Sequence, residues 1–371
     1  MLERLGHPEH HFHAIHIGGT NGKGSVAVLI AAALCQAGTR TGLYTSPHLV
    51  DVRERMVVDG RPLTRAAFAQ WTEFLREAIE EVDASFFEAT TAIAFADFAA
   101  RGADVAVVEV GLGGRLDSTN VLEPVVSAVT HVTRDHTEYL GASLQSIAME
   151  KAGIAKPGAP FVIGETDSQL TATLREAGRA AGARVIAVPP DARYEGPLGL
   201  LGPHQRRNAA VAQAVLAALP DDLQPPGEAV ARGFASARLP GRLDRRGKWI
   251  FDVAHNPGGM VALVEALSVL TPPRPVHALV SVLGDKDWVR MIELLREAVD
   301  AVWLTSPPSA PAERRWDLDA AGCRFSSAVV EADFARALQG VQQGAATVVV
   351  AGSFHTVGDA MARLPGFAPL R

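Results

Sequence analysis

Hydrophobic and polar positions alternate along this chain with two periods. Short β-branched runs at 14–17, 41–45, 104–110, 125–132, 160–164 and 184–188 read as strands, and the Ala/Leu-rich segments at 24–37, 64–82 and 88–101 read as helices. The run 104–110, DVAVVEV, is almost continuously apolar, as expected of a strand buried on both faces. Strands alternating with helices predict a mostly parallel sheet flanked by helices. A basic stretch at 236–247, SARLPGRLDRRG, interrupts the pattern at Pro240 and Gly241 and reads as a domain boundary. Beyond it the alternation restarts, with strands at 249–254, 276–283, 301–305 and 346–351 and helices at 258–270 and 288–299. The expectation is an α/β protein of two domains, 1–237 and a smaller 238–371.

Composition narrows the function classes. Of 371 residues 48% are hydrophobic, enough for two proper cores and against disorder. A net charge of -6 argues against nucleic acid as a partner. Cys35 and Cys323 give neither a disulfide framework nor a Cys-x-x-Cys metal site, and are expected to be small buried thiols. The N-terminus does not read as a signal peptide, and the longest apolar stretch, 26–37, is too short to span a bilayer. The expectation is a soluble, cytoplasmic protein with no membrane partner. No apolar heptad or interface stripe is visible, which favours a monomer.

The chemistry begins with Gly19-Thr20-Asn21-Gly22-Lys23-Gly24-Ser25, placed between a predicted strand and a predicted helix. Small residues let backbone N–H groups approach phosphate oxygens, and the helix N-terminus adds positive charge. Lys23 can neutralise phosphate, and Ser25 can offer a hydroxyl to Mg2+. The extra Gly24 between Lys23 and Ser25 departs from the common G-x-x-x-x-G-K-[ST] pattern. A second cluster, Gly111-Leu112-Gly113-Gly114, has Leu116 where a dinucleotide fingerprint needs its third glycine, so a dinucleotide site is disfavoured.

Glu109 is a carboxylate inside an apolar strand and needs a cation, either Mg2+ or a neighbouring Arg or Lys. Asp135-His136 follows a strand; the imidazole is equally well a structural hydrogen-bonding group or a metal ligand. Ser46-Pro47-His48 reads as a turn or a site loop, and Lys151 as a favourable charge near a helix C-terminus. Asp252, in Asp252-Val253-Ala254-His255-Asn256-Pro257, is a cap residue or a group aimed into a cleft. Asp285-Lys286-Asp287 is placed similarly after another strand.

Taken in order, GTNGKGS (19–25), TSPHL (45–49), ERM (54–56), FEATTAIAF (87–95), VEVGLGGRLDSTN (108–120), DHTEYLG (135–141), EKAGI (150–154), HQRRNAA (204–210), PGRLD (240–244), DVAHNPGG (252–259) and GDKD (284–287) resemble one family. It is the folylpolyglutamate synthase/dihydrofolate synthase family of the Mur-ligase superfamily. The resemblance covers nearly the whole chain. It implies an N-terminal P-loop ATPase domain followed by a Rossmann-like α/β domain. It implies ATP and two Mg2+ ions as cofactors. The implied substrates are L-glutamate and dihydropteroate or a reduced folate.

The resemblance also implies roles. Asn21, Gly22, Lys23, Gly24 and Ser25 would hold the ATP phosphates. Ser25, Ser46, Glu109 and His136 match magnesium-ligand positions, and Lys151 matches a lysine that is carbamylated in many relatives. Lys23, Lys151 and His136 are the catalytic candidates. Asn208, Arg242, Asp252 and His255 match nucleotide contacts, and Phe87, Glu88, Leu116 and Asp117 fall in segments lining the pterin pocket. Three features depart from the pattern. Val253 replaces a usual Gly, Arg134 replaces a small or apolar residue, and relatives carry a longer segment before the first strand, packed near the pterin site. Alternative functions are a cell-wall Mur ligase acting on a UDP-linked peptide, and a nucleotide-switch binding protein. TSPHL and the DKD segment favour folate.

Overall fold

The structure is a computed structural model and describes residues 1–135, 137–141 and 143–370. Internal contacts divide the chain into two units. The first comprises Met1–His48, Val52–Gly199 and Gln205–Arg238, and the second comprises Leu49–Asp51, Leu200–His204 and the chain from Leu239 onward.

The first unit is built on a sheet of strands β1 (His13–Gly18), β2 (Thr41–Tyr44), β3 (Met56–Val58), β4 (Arg61–Pro62), β5 (Val105–Glu109), β6 (Val126–Val129), β7 (Pro160–Ile163) and β8 (Arg184–Ala187). Their order is β4-β3-β2-β5-β1-β6-β7-β8. From β2 to β8 all neighbours are parallel, and β3 and β4 extend the sheet as an antiparallel hairpin. The mainly apolar character of β5 and β6 follows from their central positions, where every residue is buried, Glu109 and Ser127 included. β8, at the edge, has no fully buried residue.

The helices linking these strands are α1 (Lys23–Gln36), α2 (Arg65–Glu81), α3 (Phe86–Ala100), α4 (Thr137–Leu140), α5 (Leu144–Ala152) and α6 (Ser168–Ala180), and α7 (Pro203–Ala217) and α8 (Gly227–Ser236) follow β8. α1 and α3 are apolar all round and largely buried, whereas α2 and α6 bury one stripe each. Starts are set by caps: Thr64 accepts from Ala67 N, Asp167 from Gln169 and Leu170 N, and Ser85 with Glu88 forms a capping box. One apolar cluster gathers Phe12, Tyr44, Met56, Leu75, Phe95 and Phe98; another gathers Val129, Ile147, Ile154, Phe161 and Leu174. Phe12 meets Phe95 and Phe98 edge-on at 5.8 and 6.0 Å. Each such side chain contributes about 1.5–3 kcal/mol of burial.

The second unit has strands β9 (Asp244–Arg246), β10 (Trp249–Asp252), β11 (Val276–Val280), β12 (Ala301–Leu304), β13 (Val329–Val330) and β14 (Thr347–Ala351), in the order β13-β12-β11-β14-β10-β9. All neighbours are parallel except β9 against β10. The helices are α9 (Pro257–Leu270), α10 (Trp288–Leu295), α11 (Leu318–Arg324), α12 (Phe334–Gly340) and α13 (Phe354–Arg363). Alternation along the strands sorts side chains to two faces. Ile250, Ala278, Val280 and Val349 join the cluster of Met260, Leu263 and Met291, while Trp249, Phe251, Leu279, Val348 and Val350 join that of Phe334 and Met361.

The pattern-based expectations miss β3, β4, β9 and β13, and overrun α10, which stops at Leu295. The thiol expectation is corrected as well: Cys35 is half-buried and Cys323 is exposed. The reason is placement, since α11, which carries Cys323, buries only Ala321. Among the described residues no helix is long and apolar enough to cross a membrane.

Candidate active site

β1 ends at Gly18 in the middle of the first sheet, and the chain must turn at once into α1. Two glycines make that turn possible. Gly19 has φ 140°, and a Cβ there would lie 2.0 Å from Thr130 Oγ1; Gly22, the N-cap of α1, has φ 89°, and a Cβ would lie 2.7 Å from Asn208 Oδ1. Lys23 is the first residue of α1 and folds back over the loop, its Nζ donating to the carbonyls of Gly19 (3.1 Å) and Thr20 (3.2 Å). Ser25 is buried two residues further along α1.

The turn after β6 forms the other wall of this loop. Thr130 Oγ1 donates to the carbonyls of Gly18 (3.2 Å) and Asn21 (2.7 Å), and Thr20 N donates to His131 O (2.6 Å). Glu165, after β7, accepts from Val132 N (2.7 Å) and pairs with His131 Nδ1 (2.9 Å). Burial alone would raise the Glu165 pKa, but His131 and the backbone N–H groups outweigh it and hold it below the usual carboxylate range. In α7, Asn208 donates from Nδ2 to Gln205 Oε1 at 3.0 Å. Motif reading misses Thr130, His131 and Glu165. Their signal is topological: they follow β6, which neighbours β1, and β7, the next strand out in sheet order.

Lys151 lies in the last turn of α5, and only 3% of it is exposed. Its Nζ donates to Gly19 O at 3.0 Å, the same carbonyl that Lys23 uses. Burial, and then the charge of Lys23, lower its pKa to about 7, against the opposing pull of Asp135 and Asp117. A surface charge on a helix dipole is therefore not its main role. Near neutral pH this lysine is divided between ammonium and free amine. His136 lies outside the described residues.

Glu109 is the last residue of β5 and pairs in register with Ile17, just before the phosphate loop. It is 4% exposed, and its Oε2 accepts from Ser46 N at 3.0 Å. Arg55, also buried, supplies nearby positive charge. Burial lowers the Arg55 pKa, while Tyr44, Glu109 and Glu54 act to restore it. Arg55 Nε donates to His48 Nδ1 at 2.9 Å. Ser25, Ser46 and Glu109 are oxygen donors at the carboxyl ends of adjacent strands or just beyond them, a set that fits a hard divalent cation.

Beyond β5 the chain passes Gly111, against which the Phe87 ring packs so closely that a Cβ would lie 2.3 Å from it. Asp117 organises the following loop, its carboxylate accepting from Leu112 N (2.8 Å) and Thr119 N (3.0 Å). Burial raises its pKa, and those N–H donors oppose the rise. Ser118 Oγ meets Thr91 Oγ1 at 3.1 Å, tying the loop to α3. Phe87 and Asp117 thus come together at the end of β5, and Leu116 is 79% exposed. The Glu88 carboxylate is engaged at the helix start by Ser85 N (2.8 Å) and Oγ (2.7 Å).

In the second unit, taken by itself, Asp252 ends β10 and accepts from Leu243 N and Ala254 N, both at 2.9 Å. Burial raises its pKa, and Arg242 pulls it back down. The Arg242 guanidinium lies over the Phe354 ring at 5.0 Å, and His255 Nδ1 is 3.0 Å from Val253 O. Asn256 caps α9 through Gly259 N, and Asp287 caps α10 through Arg290 N. Asp285 pairs with Lys286 and Arg314.

Two domain families match this chain: the Mur ligase middle domain over residues 17–195, and the Mur ligase glutamate ligase domain over residues 241–354. Fold and site define a Mur-type ligase. A folylpolyglutamate synthase of Lacticaseibacillus casei is 34% identical over 345 residues, 84% of this chain and 80% of that protein. The solved structure of Escherichia coli FolC in complex with DHPP and ADP is similar with a TM-score of 0.88 at 32% identity, covering 97% of this chain and 90% of that one. A bifunctional folylpolyglutamate synthase/dihydrofolate synthase with Mn, AMPPNP and L-glutamate bound gives a TM-score of 0.86 at 31% identity, over 97% and 93% of the two chains. The chain belongs to the folylpolyglutamate synthase/dihydrofolate synthase family.

Proposed function

We propose that this ATP-dependent ligase joins L-glutamate to the carboxyl group of dihydropteroate, of a reduced folate, or of both, through an acyl phosphate. The observation that carries the reading is the convergence of Lys23 and buried Lys151 on Gly19 O, at the mouth of a glycine-rich loop before a helix N-terminus. A carboxylate is a poor acyl donor because its leaving group would be oxide. Transfer of the γ-phosphoryl group to the carboxylate oxygen replaces that with phosphate, which the glutamate amine then displaces to form the amide. ADP and phosphate are the other products.

In this reading the N–H groups of 21–25 and the Lys23 ammonium bind and orient the phosphates, and Lys23 follows the charge that builds during transfer. Ser25, Ser46 and Glu109, with His136, are proposed to hold divalent metal, which we assign as two Mg2+ ions; when bound, the metal neutralises phosphate charge. Lys151, as amine or carbamate, tunes the charge beside Lys23. Phe87, Leu116 and Asp117 shape the place of the pterin ring, and Glu88 fixes the start of α3 beneath it. Asn208 and, in the second unit, Arg242, Asp252 and His255 are proposed nucleotide contacts. We propose a cytoplasmic monomer with domains 1–237 and 238–371. Folate-named relatives favour this reading over a UDP-peptide ligase or a nucleotide switch.

The acyl phosphate is tested with dihydropteroate labelled with oxygen-18 in its carboxylate. One label should appear in the released inorganic phosphate. Label confined to the amide product, or appearing in AMP, contradicts the mechanism.

A further inference from the structure

The first residues of the chain hold chemistry that ligation does not use. Pro8–His10 form a single 3-10 turn, closed by His10 N to His7 O and His11 N to Pro8 O, both 3.1 Å. The turn packs on α3. It buries the Glu9 side chain to 6% exposure and leaves His7 and His10 outside at 51% and 68%. Glu9 Oε1 lies 2.9 Å from His7 Nδ1 and 3.9 Å from His10 Nε2. Glu9 Oε2 is closed off from solvent and has no hydrogen-bond partner among the described residues. The His7 and His10 rings stack at 5.3 Å with 13° between planes.

A carboxylate held out of water needs a cation or a full set of donors. Here two imidazoles face one of its oxygens, and the other has nothing. The three ligand atoms all lie within 4.8 Å of one another. Ligand atoms ~2.1 Å from a tetrahedral ion are ~3.4 Å apart, and the separations of 2.9 and 3.9 Å bracket that value. Two nitrogens and one oxygen suit a borderline cation such as Zn2+ and suit Mg2+ poorly.

We propose that His7, Glu9 and His10 form a separate Zn2+-type metal site, completed by water, that clips the N-terminal turn onto α3. It is remote from the phosphate loop. The turn precedes the start of β1, whereas the loop follows its end, and six residues of strand span ~20 Å.

The test uses the full, tag-free chain in millimolar Mg2+, which occupies the oxygen-donor sites. Zn2+ is titrated in competition with a chromophoric chelator, against His7→Gln/His10→Gln and the isosteric Glu9→Gln. The wild type should bind one Zn2+ more than the double variant, and Glu9→Gln should bind it at least tenfold more weakly. With Co2+ alone, the wild type should show a visible tetrahedral band that both variants lack. Equal Zn2+ number and affinity in all three proteins, wild-type filling only at millimolar Zn2+, or no wild-type Co2+ band each overturn the proposal. The wild-type spectrum decides it even where a variant folds poorly. Phosphate release should be unchanged in both variants.

Discussion

Lys23 and Lys151 present two nitrogen atoms to one carbonyl, that of Gly19. Their roles separate on replacement. Lys23→Ala should lower kcat by about 10²–10³-fold or more, the scale of removing one charge-stabilising donor, with the circular dichroism spectrum unchanged; near-normal turnover would refute the role. Lys151 makes a prediction about pH. Its folded pKa of about 7 lies below its ordinary 10.5, so between those values the unfolded chain binds more protons than the folded one. Stability contributed by this group therefore rises with pH across that window and is lost as pH falls through 7. Urea unfolding of wild type and Lys151→Met should show the variant's relative advantage shrinking as pH rises from 7 towards 10.5; a gap independent of pH would contradict the assignment. Lys23 is legible in the sequence because the glycine spacing frames it. The burial of Lys151 is not, because its burial depends on α5 packing back against a loop 132 residues away in sequence.

At the scale of elements, the β1–loop–α1 unit is legible from its small residues, and its tolerance is predictable from geometry. Gly19→Ala meets a left-handed φ and the Thr130 hydroxyl together. It should cost about 1–3 kcal/mol of strain and raise KM for ATP, read by thermal unfolding and steady-state kinetics. Ser85→Ala removes the capping box of α3 and should destabilise by about 0.5–2 kcal/mol, without the loss of turnover predicted for Lys23→Ala. The strands that pattern reading finds include the central ones, such as β5, where burial on both faces writes itself as a run of Val, and also the edge strand β8. The hairpin β3–β4 escapes because its strands are three and two residues long. Its signal is the turn, Asp59-Gly60, with φ of 50° and 71° at both positions. Thr130 and Glu165 escape for a different reason: neither sits in a motif, and only the strand order β1-β6-β7 brings them to the loop.

At the scale of the whole molecule, the two-part α/β organisation follows from the interrupted alternation near Pro240, and contact grouping changes over between Arg238 and Leu239. The inserted segments Leu49–Asp51 and Leu200–His204, which group with the second unit, are invisible to periodicity because they are too short to show a period, the latter holding only the start of α7. The central claim is a ligase in which ATP cleavage is tied to an acid and an amine. The most direct measurement is inorganic phosphate release from ATP with Mg2+, with and without L-glutamate, and with dihydropteroate in one series and a reduced folate monoglutamate in another. Release that requires both glutamate and one of the acids is the predicted result, and the acid that responds names the activity. Release indifferent to glutamate and to both acids contradicts the account.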